Sequence, residues 1–135
     1  MTVRTATKKD WKTFDMPELH DSFILDRLID EKQMSVLEKG NIPQEMEDKW
    51  FWYMEGHTLY AYRSWTGFCI YIIEFSKEGH HKVTVNRDPK QYACTSTEED
   101  KTNLSNLLDW WSKDNYNYYN EWLFETAQAL KNTDA

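Results

Sequence analysis

The chain has 135 residues, a length typical of one domain with a sizeable core. Its formal net charge of −7 argues against broad binding to nucleic acid or to anionic membranes. The two cysteines lack metal-ligand spacing, which argues against a disulfide framework or a zinc site. Because no stretch reaches the roughly 20 apolar residues of a membrane span, we expect a cytoplasmic protein.

The basic residues are concentrated in the middle of the chain. Residues 49–92 hold six basic and four acidic residues, a net of +2, whereas residues 1–48 have a net of −4 and residues 93–135 a net of −5. The middle is also the most aromatic part. A cationic, aromatic centre in an acidic chain favours a site for an anion, although ordinary scatter of surface charge explains the same counts.

The N-terminal third is predicted to be helical. Residues 1–14 are polar, and we expect a flexible arm followed by a single domain over residues 15–135. Asp15 with Glu18 is typical of a helix start, and Gly40 supplies a stop signal. The residues between them give a partial helical stripe, which predicts one long helix or two short ones: Leu19, Phe23, Leu28, Ile29, Val36 and Leu37.

The centre is predicted to form four strands, at residues 49–54, 58–64, 68–75 and 82–87. The first two are joined by a tight turn at Glu55-Gly56. The third is apolar on both faces, so it should lie in the middle of the sheet. Short connections favour an antiparallel meander.

The C-terminal third returns to helical spacing. Ser96 with Glu99 is typical of a helix start, and Leu104, Leu108 and Trp111 then recur on one face. A second helix is predicted from Tyr119 to Leu130. The predicted fold class is therefore α+β, a four-stranded antiparallel meander sheet flanked by an N-terminal helix and C-terminal helices.

The corner between the second and third strands contains the best candidates for ligand binding. Arg63 suits a phosphate or carboxylate, Ser64 and Thr66 add hydroxyl groups, and Trp65 can stack on a planar base. A purely structural turn is the alternative.

Residues of neighbouring strands extend this candidate site. Lys49 and Trp50 on the first strand and Tyr62 on the second are further ligand-binding candidates, and we expect Lys49 to lie near Tyr62 and Arg63. Two adjacent cations require an anion between them, which is either a ligand or the carboxylates of residues 47 and 48. Asn86 and Arg87 end the fourth strand and either close the pocket or form a turn into Pro89.

Catalytic and metal motifs are absent from the sequence. The adjacent His80 and His81 have no third ligand at metal spacing, and no nucleophile is paired with a base at a known spacing. We expect no catalytic residue, no metal and no cofactor.

The segment Met46-Glu47-Asp48-Lys49-Trp50-Phe51, with Arg63-Ser64-Trp65-Thr66-Gly67, resembles a small family of bacterial and phage proteins with an EDKWF…RSWTG core motif. The resemblance extends to residues 85–88 and 91–92 and covers roughly residues 42–110. The chain departs from the family pattern at Trp52 and at Ala61-Tyr62. The resemblance implies a phage immune-evasion sponge of the anti-Thoeris type, which acts in the host bacterial cytoplasm.

The residues and the resemblance together predict a non-catalytic protein that binds and sequesters an ADP-ribose-derived signal. The phosphates would be held by Lys49, Arg63 and Arg87. The base would stack on Trp50 and Trp65. The ribose would be bound by Ser64, Thr66 and Asn86. A homo-oligomer is expected, because the Tyr- and Trp-rich C-terminus exceeds what one core absorbs. An enzyme that cleaves such a nucleotide and a protein-interaction module that inhibits a host defence protein are the alternatives.

Overall fold

The computed structural model describes residues 5–113 of the chain. A short 3-10 turn at Lys8–Asp10 precedes five strands and two α-helices. In chain order these are β1 (His20–Asp26), α1 (Glu31–Lys39), β2 (Trp50–Glu55), β3 (Thr58–Arg63), β4 (Cys69–Glu74), β5 (His80–Asn86) and α2 (Thr97–Trp111). The strands form one antiparallel sheet in the order β1-β5-β4-β3-β2. The α+β class and the predicted meander are confirmed, with β4 in the centre, and β1 is an additional strand.

The tight turn between β2 and β3 lies one residue later than predicted. Glu55 pairs with Thr58, so the two turn residues are Gly56 and His57. Gly56 has a φ of +60°, which glycine adopts without the cost that a Cβ would add. This register places Trp50 directly opposite Arg63.

The predicted N-terminal helix is wrong over residues 15–29. Residues 20–26 form β1, which pairs along its whole length with β5. Its burial follows a strand period, because Leu25 is buried whereas Ile24 and Asp26 are exposed. Helix α1 begins only after Asp30, whose carboxylate accepts a bond from the Gln33 N–H at 2.7 Å.

Each face of the sheet packs against a different part of the chain. The helix face carries the larger core, in which α1 and α2 contribute Leu37, Leu104, Leu108 and Trp111. The opposite face, here called the N-terminal face, is covered in part by residues 5–16 over Phe51, Tyr53, Tyr62 and Cys69. The helix face therefore holds the main core, and the N-terminal segment builds a second one.

The segment that we expected to be a flexible arm makes specific contacts in its described part, from residue 5 onward. The Ala6 N–H donates to the Lys39 carbonyl at 2.8 Å, and the Phe14 N–H donates to the Gly67 carbonyl at 2.9 Å. Trp11 stacks on Phe51 with ring centroids 6.0 Å apart. These bonds tie residues 6–14 to the end of α1 and to the β3–β4 corner.

Helix α2 matches its prediction. The Ser96 hydroxyl accepts a bond from the Glu99 N–H at 3.2 Å, and Leu104, Leu108 and Trp111 are buried. The second C-terminal helix, predicted from Tyr119 to Leu130, lies outside the described residues. Within residues 5–113, no helix is long and apolar enough to cross a membrane.

Candidate ligand-binding site

The β3–β4 corner is a closed turn that spans residues 63–68. The Arg63 N–H donates to the Phe68 carbonyl at 3.0 Å, and the Gly67 N–H donates to the Arg63 carbonyl at 2.8 Å. Gly67 has a φ of +77°, and a Cβ there would lie 2.4 Å from the Lys12 carbonyl oxygen. Glycine is therefore required for the close approach of the N-terminal segment.

Trp65 projects from this turn with 66% of its surface exposed. Its indole Nε1 donates to the Met46 carbonyl at 3.0 Å, which fixes the plane of the ring. The Lys49 ammonium lies 4.6 Å from the ring centroid, within the range of a cation–π contact. The turn thus presents a fixed indole plane with a cation next to it.

Arg63 forms a second cation–π contact, on the helix face of the sheet. Its guanidinium carbon lies 5.1 Å from the ring centroid of Trp50, the residue directly opposite on β2. Trp50 is only 9% exposed, because it packs against Tyr71 and Trp111 in the core. The Trp50 ring therefore packs against the Arg63 guanidinium, and it has no free face on which a ligand could stack.

Lys49 and Arg63 are both exposed, and neither forms an ion pair with any of residues 5–113. The carboxylate of the buried Asp48 accepts bonds from Asn41 Nδ2 at 2.9 and 3.2 Å. It does not lie between the two cations as an ion-pair partner. We call Lys49, Arg63, Trp65 and the exposed Met46 the cation–indole patch.

The two hydroxyl residues of the corner already have partners. The Ser64 hydroxyl donates to the Asp48 carbonyl at 2.8 Å, and the Ser64 carbonyl accepts a bond from Trp11 Nε1 at 2.9 Å. The Thr66 hydroxyl oxygen accepts a weak bond from the Phe68 N–H at 3.3 Å. Ser64 is a structural residue in this geometry, whereas Thr66 is exposed and keeps its O–H available.

Asn86 and Arg87 lie at the same end of the sheet but belong to a different cluster. Asn86 Nδ2 donates to the Cys69 carbonyl and to Gln91 Oε1, both at 2.8 Å. Arg87 donates through Nε to Asp21 at 2.8 Å and through Nη2 to Asp100 at 2.5 Å. The structure therefore does not bring these two residues into the cation–indole patch.

Asp100 is the buried centre of a polar cluster that the sequence analysis did not find. Its Oδ1 accepts bonds from Tyr92 at 2.6 Å and from Tyr71 at 3.1 Å, while Oδ2 accepts from Arg87. Burial raises the pKa of both phenols, so they remain protonated donors. The sequence predicted a helix start at Ser96 and Glu99, and the spacing of Tyr92 and Asp100 gave no indication of this contact.

Tyr62 lies on the N-terminal face, opposite to Trp50 and Arg63. Its hydroxyl is 3.4 Å from that of Tyr53, and burial raises its pKa. Both phenols line a half-open cavity of about 340 Å³ together with Tyr60, Met16 and Lys8. Tyr62 is therefore part of a second concave surface and does not belong to the patch.

The part of the chain that the structure describes contains no cluster of three or more potential metal ligands. Comparisons with family models, curated proteins and solved structures give no match for this chain. The function is therefore inferred from the geometry of the patch and from the sequence motif.

Proposed function

We propose that the protein binds and sequesters a small anionic nucleotide without changing it chemically. The observation that carries this proposal is the pair of exposed cations, Lys49 and Arg63, each seated over a tryptophan ring. Neither cation has a carboxylate partner within residues 5–113, so a bound phosphate would provide the missing anion. Arginine and lysine both bind phosphate, arginine in a bidentate manner.

The proposed binding mode uses the patch as a platform. The fixed and exposed Trp65 indole stacks on the base, while Lys49 and Arg63 hold the phosphates; base–aromatic stacking contributes about 1–3 kcal/mol per base. The exposed hydroxyl of Thr66, in the same corner, would donate to a ribose. Because Arg87, Asn86 and Ser64 already bond within the fold, they position the sheet end and do not contact the ligand.

The resemblance of the EDKWF…RSWTG motif supports a specific ligand class. It points to an ADP-ribose-derived signal, such as a cyclic ADP-ribose isomer, and to a role in countering bacterial antiphage defence. Such a ligand combines a flat adenine with a pyrophosphate, which matches the exposed Trp65 indole with Lys49 over its ring and Arg63 two residues before it in the chain. In this proposal the protein acts in the host bacterial cytoplasm.

The test is a titration of the full chain with ADP-ribose, cyclic ADP-ribose isomers, cyclic dinucleotides, NAD and AMP, followed by mass spectrometry of the released ligand. We expect at least one ADP-ribose derivative to bind and to be recovered intact. Arg63→Ala and Lys49→Ala should each weaken binding about tenfold, because each removes a phosphate contact. Lys82→Ala is the matched control, since Lys82 is exposed on β5. Unchanged affinity in both patch variants would refute the site.

Two other outcomes would replace the proposal. Recovery of a chemically altered nucleotide would indicate an enzyme. A protein-interaction module is the second candidate, since Met46 and Trp65 are adjacent and are 69% and 66% exposed. This candidate predicts no binding to any nucleotide of the panel and loss of a protein partner in Trp65→Ala.

A further inference from the structure

Among residues 5–113, no segment covers the outer edge of strand β1. The Arg87 N–H donates to the Leu19 carbonyl and the Arg27 N–H to the Gly79 carbonyl, so the odd residues of β1 direct their backbone groups toward β5. The even residues therefore direct their N–H and C=O groups outward, where no group of residues 5–113 pairs with them: His20, Ser22, Ile24 and Asp26.

The opposite edge of the sheet is covered. Asn41 forms an antiparallel bridge with Trp52 of β2, and Asn41 Nδ2 donates to the Trp50 carbonyl. An exposed edge is normally protected by charged side chains, above all lysine, by proline or by a bulge. Strand β1 contains no lysine or proline, and its register with β5 has no shift. Its two carboxylates, Asp21 and Asp26, already pair with Arg87 and His80 of the same chain.

Three of the exposed large apolar side chains are on β1 or next to its ends. Leu19 is 60% exposed, Ile24 47% and Leu28 76%. An unprotected row of backbone donors and acceptors flanked by exposed apolar groups is the surface that strand pairing requires. We propose that this surface pairs with β1 of a second copy of the chain, in an antiparallel and two-fold symmetric dimer.

Charge favours one register of this dimer and disfavours a neighbouring one. When the two-fold axis passes through Phe23, Ser22 lies opposite Ile24 of the other copy, and His20 lies opposite Asp26 at both ends of the paired strands. Each of these pairs joins two even residues, so the outward backbone groups meet as hydrogen-bonded pairs. Centring the pairing on Ser22 instead would oppose Glu18 to Asp26, and like charges directly opposite each other are unfavourable.

The oligomeric state tests the interface. Sedimentation over a concentration series should show two associated chains of 16.3 kDa, with Ile24→Lys monomeric, because an edge lysine opposes strand pairing. His20→Asp should raise the dissociation constant about tenfold, since a carboxylate would then face Asp26 at both ends. Phe14→Lys is the matched control, because Phe14 is 49% exposed but packs against Phe68 next to β4 and is not part of the β1 edge.

Cross-linking tests the register. In a Cys94→Ser background, a mixture of Ser22→Cys and Ile24→Cys chains should form a disulfide, because hydrogen-bonded pairs have a Cα separation of about 5.5 Å. Neither variant should cross-link when it is alone. A monomer at every concentration, a dimer that persists in Ile24→Lys, or cross-linking of either variant with itself would overturn the proposal. Nucleotide binding can fail independently of all these results.

Discussion

At the scale of single residues, His81 is the most informative titratable group. It is 1% exposed and sits between two backbone groups: Nδ1 accepts from the Ser76 N–H at 3.0 Å, and Nε2 donates to the Arg27 carbonyl at 2.8 Å. This pattern requires the neutral ring with its proton on Nε2. Burial lowers the pKa of His81, against a smaller opposing effect of the bond to Arg27.

The sign of the pH dependence follows from this lowered pKa. The unfolded chain takes up a proton at about pH 6.5, whereas the folded chain does so only at lower pH. Stability should therefore fall as the pH drops below about 6.5. Urea denaturation at pH 7 and pH 5 measures the difference in the free energy of unfolding between the two conditions. His81→Gln should reduce this difference, because glutamine does not titrate. His57→Gln, at an exposed turn position, should keep the wild-type difference. An unchanged difference in His81→Gln would assign the effect to other groups.

At the scale of elements, α2 is attached to the sheet by the buried carboxylate of Asp100. Its 0% exposure and its bonds to Tyr71, Tyr92 and Arg87 hold the first turns of the helix over β4 and β5. Asp100→Asn should lower the free energy of unfolding by about 1.5–3 kcal/mol, because it removes a charged hydrogen bond to Arg87, whereas Arg87 keeps its pair with Asp21.

Glu98→Gln is the control for this effect. It removes a charge from the same helix turn, but the Glu98 side chain is 85% exposed and its ion pair with Lys101 is 3.5 Å long. Its cost should stay below about 1 kcal/mol. Equal losses of stability in the two variants, measured by denaturant titration, would show that the helix dipole and not the buried cluster explains the role of Asp100.

Elements that depend on local sequence signals could be predicted, whereas the element that depends on distant contacts could not. Strands β2 to β5 and helix α2 are encoded locally, by alternating apolar residues, turn glycines and the Ser96 cap. Strand β1 was mistaken for a helix because Leu19 and Phe23 also fit helical spacing, and only its pairing with β5 decides the matter.

The candidate site, too, could be predicted only where it depends on residues close together in the chain. In the fold Lys49 lies over the ring of Trp65 and Arg63 over the ring of Trp50, whereas the local motif predicted Lys49 near Tyr62 and Arg63. The partners of Asn86 and Arg87 could not be predicted, because Arg87 pairs with carboxylates 66 and 13 residues away along the chain. Sequence spacing identifies a polar residue as a candidate, but only the fold determines whether its hydrogen-bonding groups are already used.

At the scale of the whole molecule, the sheet has two cores, and the second depends on the N-terminal segment. Trp11 stacks on Phe51 and donates to Ser64, and the segment passes over the face that contains Cys69. Cys69 is 1% exposed, and burial, together with the nearby Asp15, raises the pKa of its thiol to about 12. Its reactivity should therefore report whether the segment is in place.

Trp11→Ala removes the stacking on Phe51 and the bond to Ser64 that attach this segment. We expect the free energy of unfolding to fall by roughly 2–3 kcal/mol, the scale for a partly buried aromatic ring. In a Cys94→Ser background, Cys69 should react with a thiol reagent at least about tenfold faster than in the parent, because uncovering both exposes the sulfur and removes the desolvation that disfavours thiolate. Phe14→Ala, in the same segment but over Phe68, should leave the rate almost unchanged. If Trp11→Ala loses stability while Cys69 stays protected, the segment stabilises the sheet without shielding the second core.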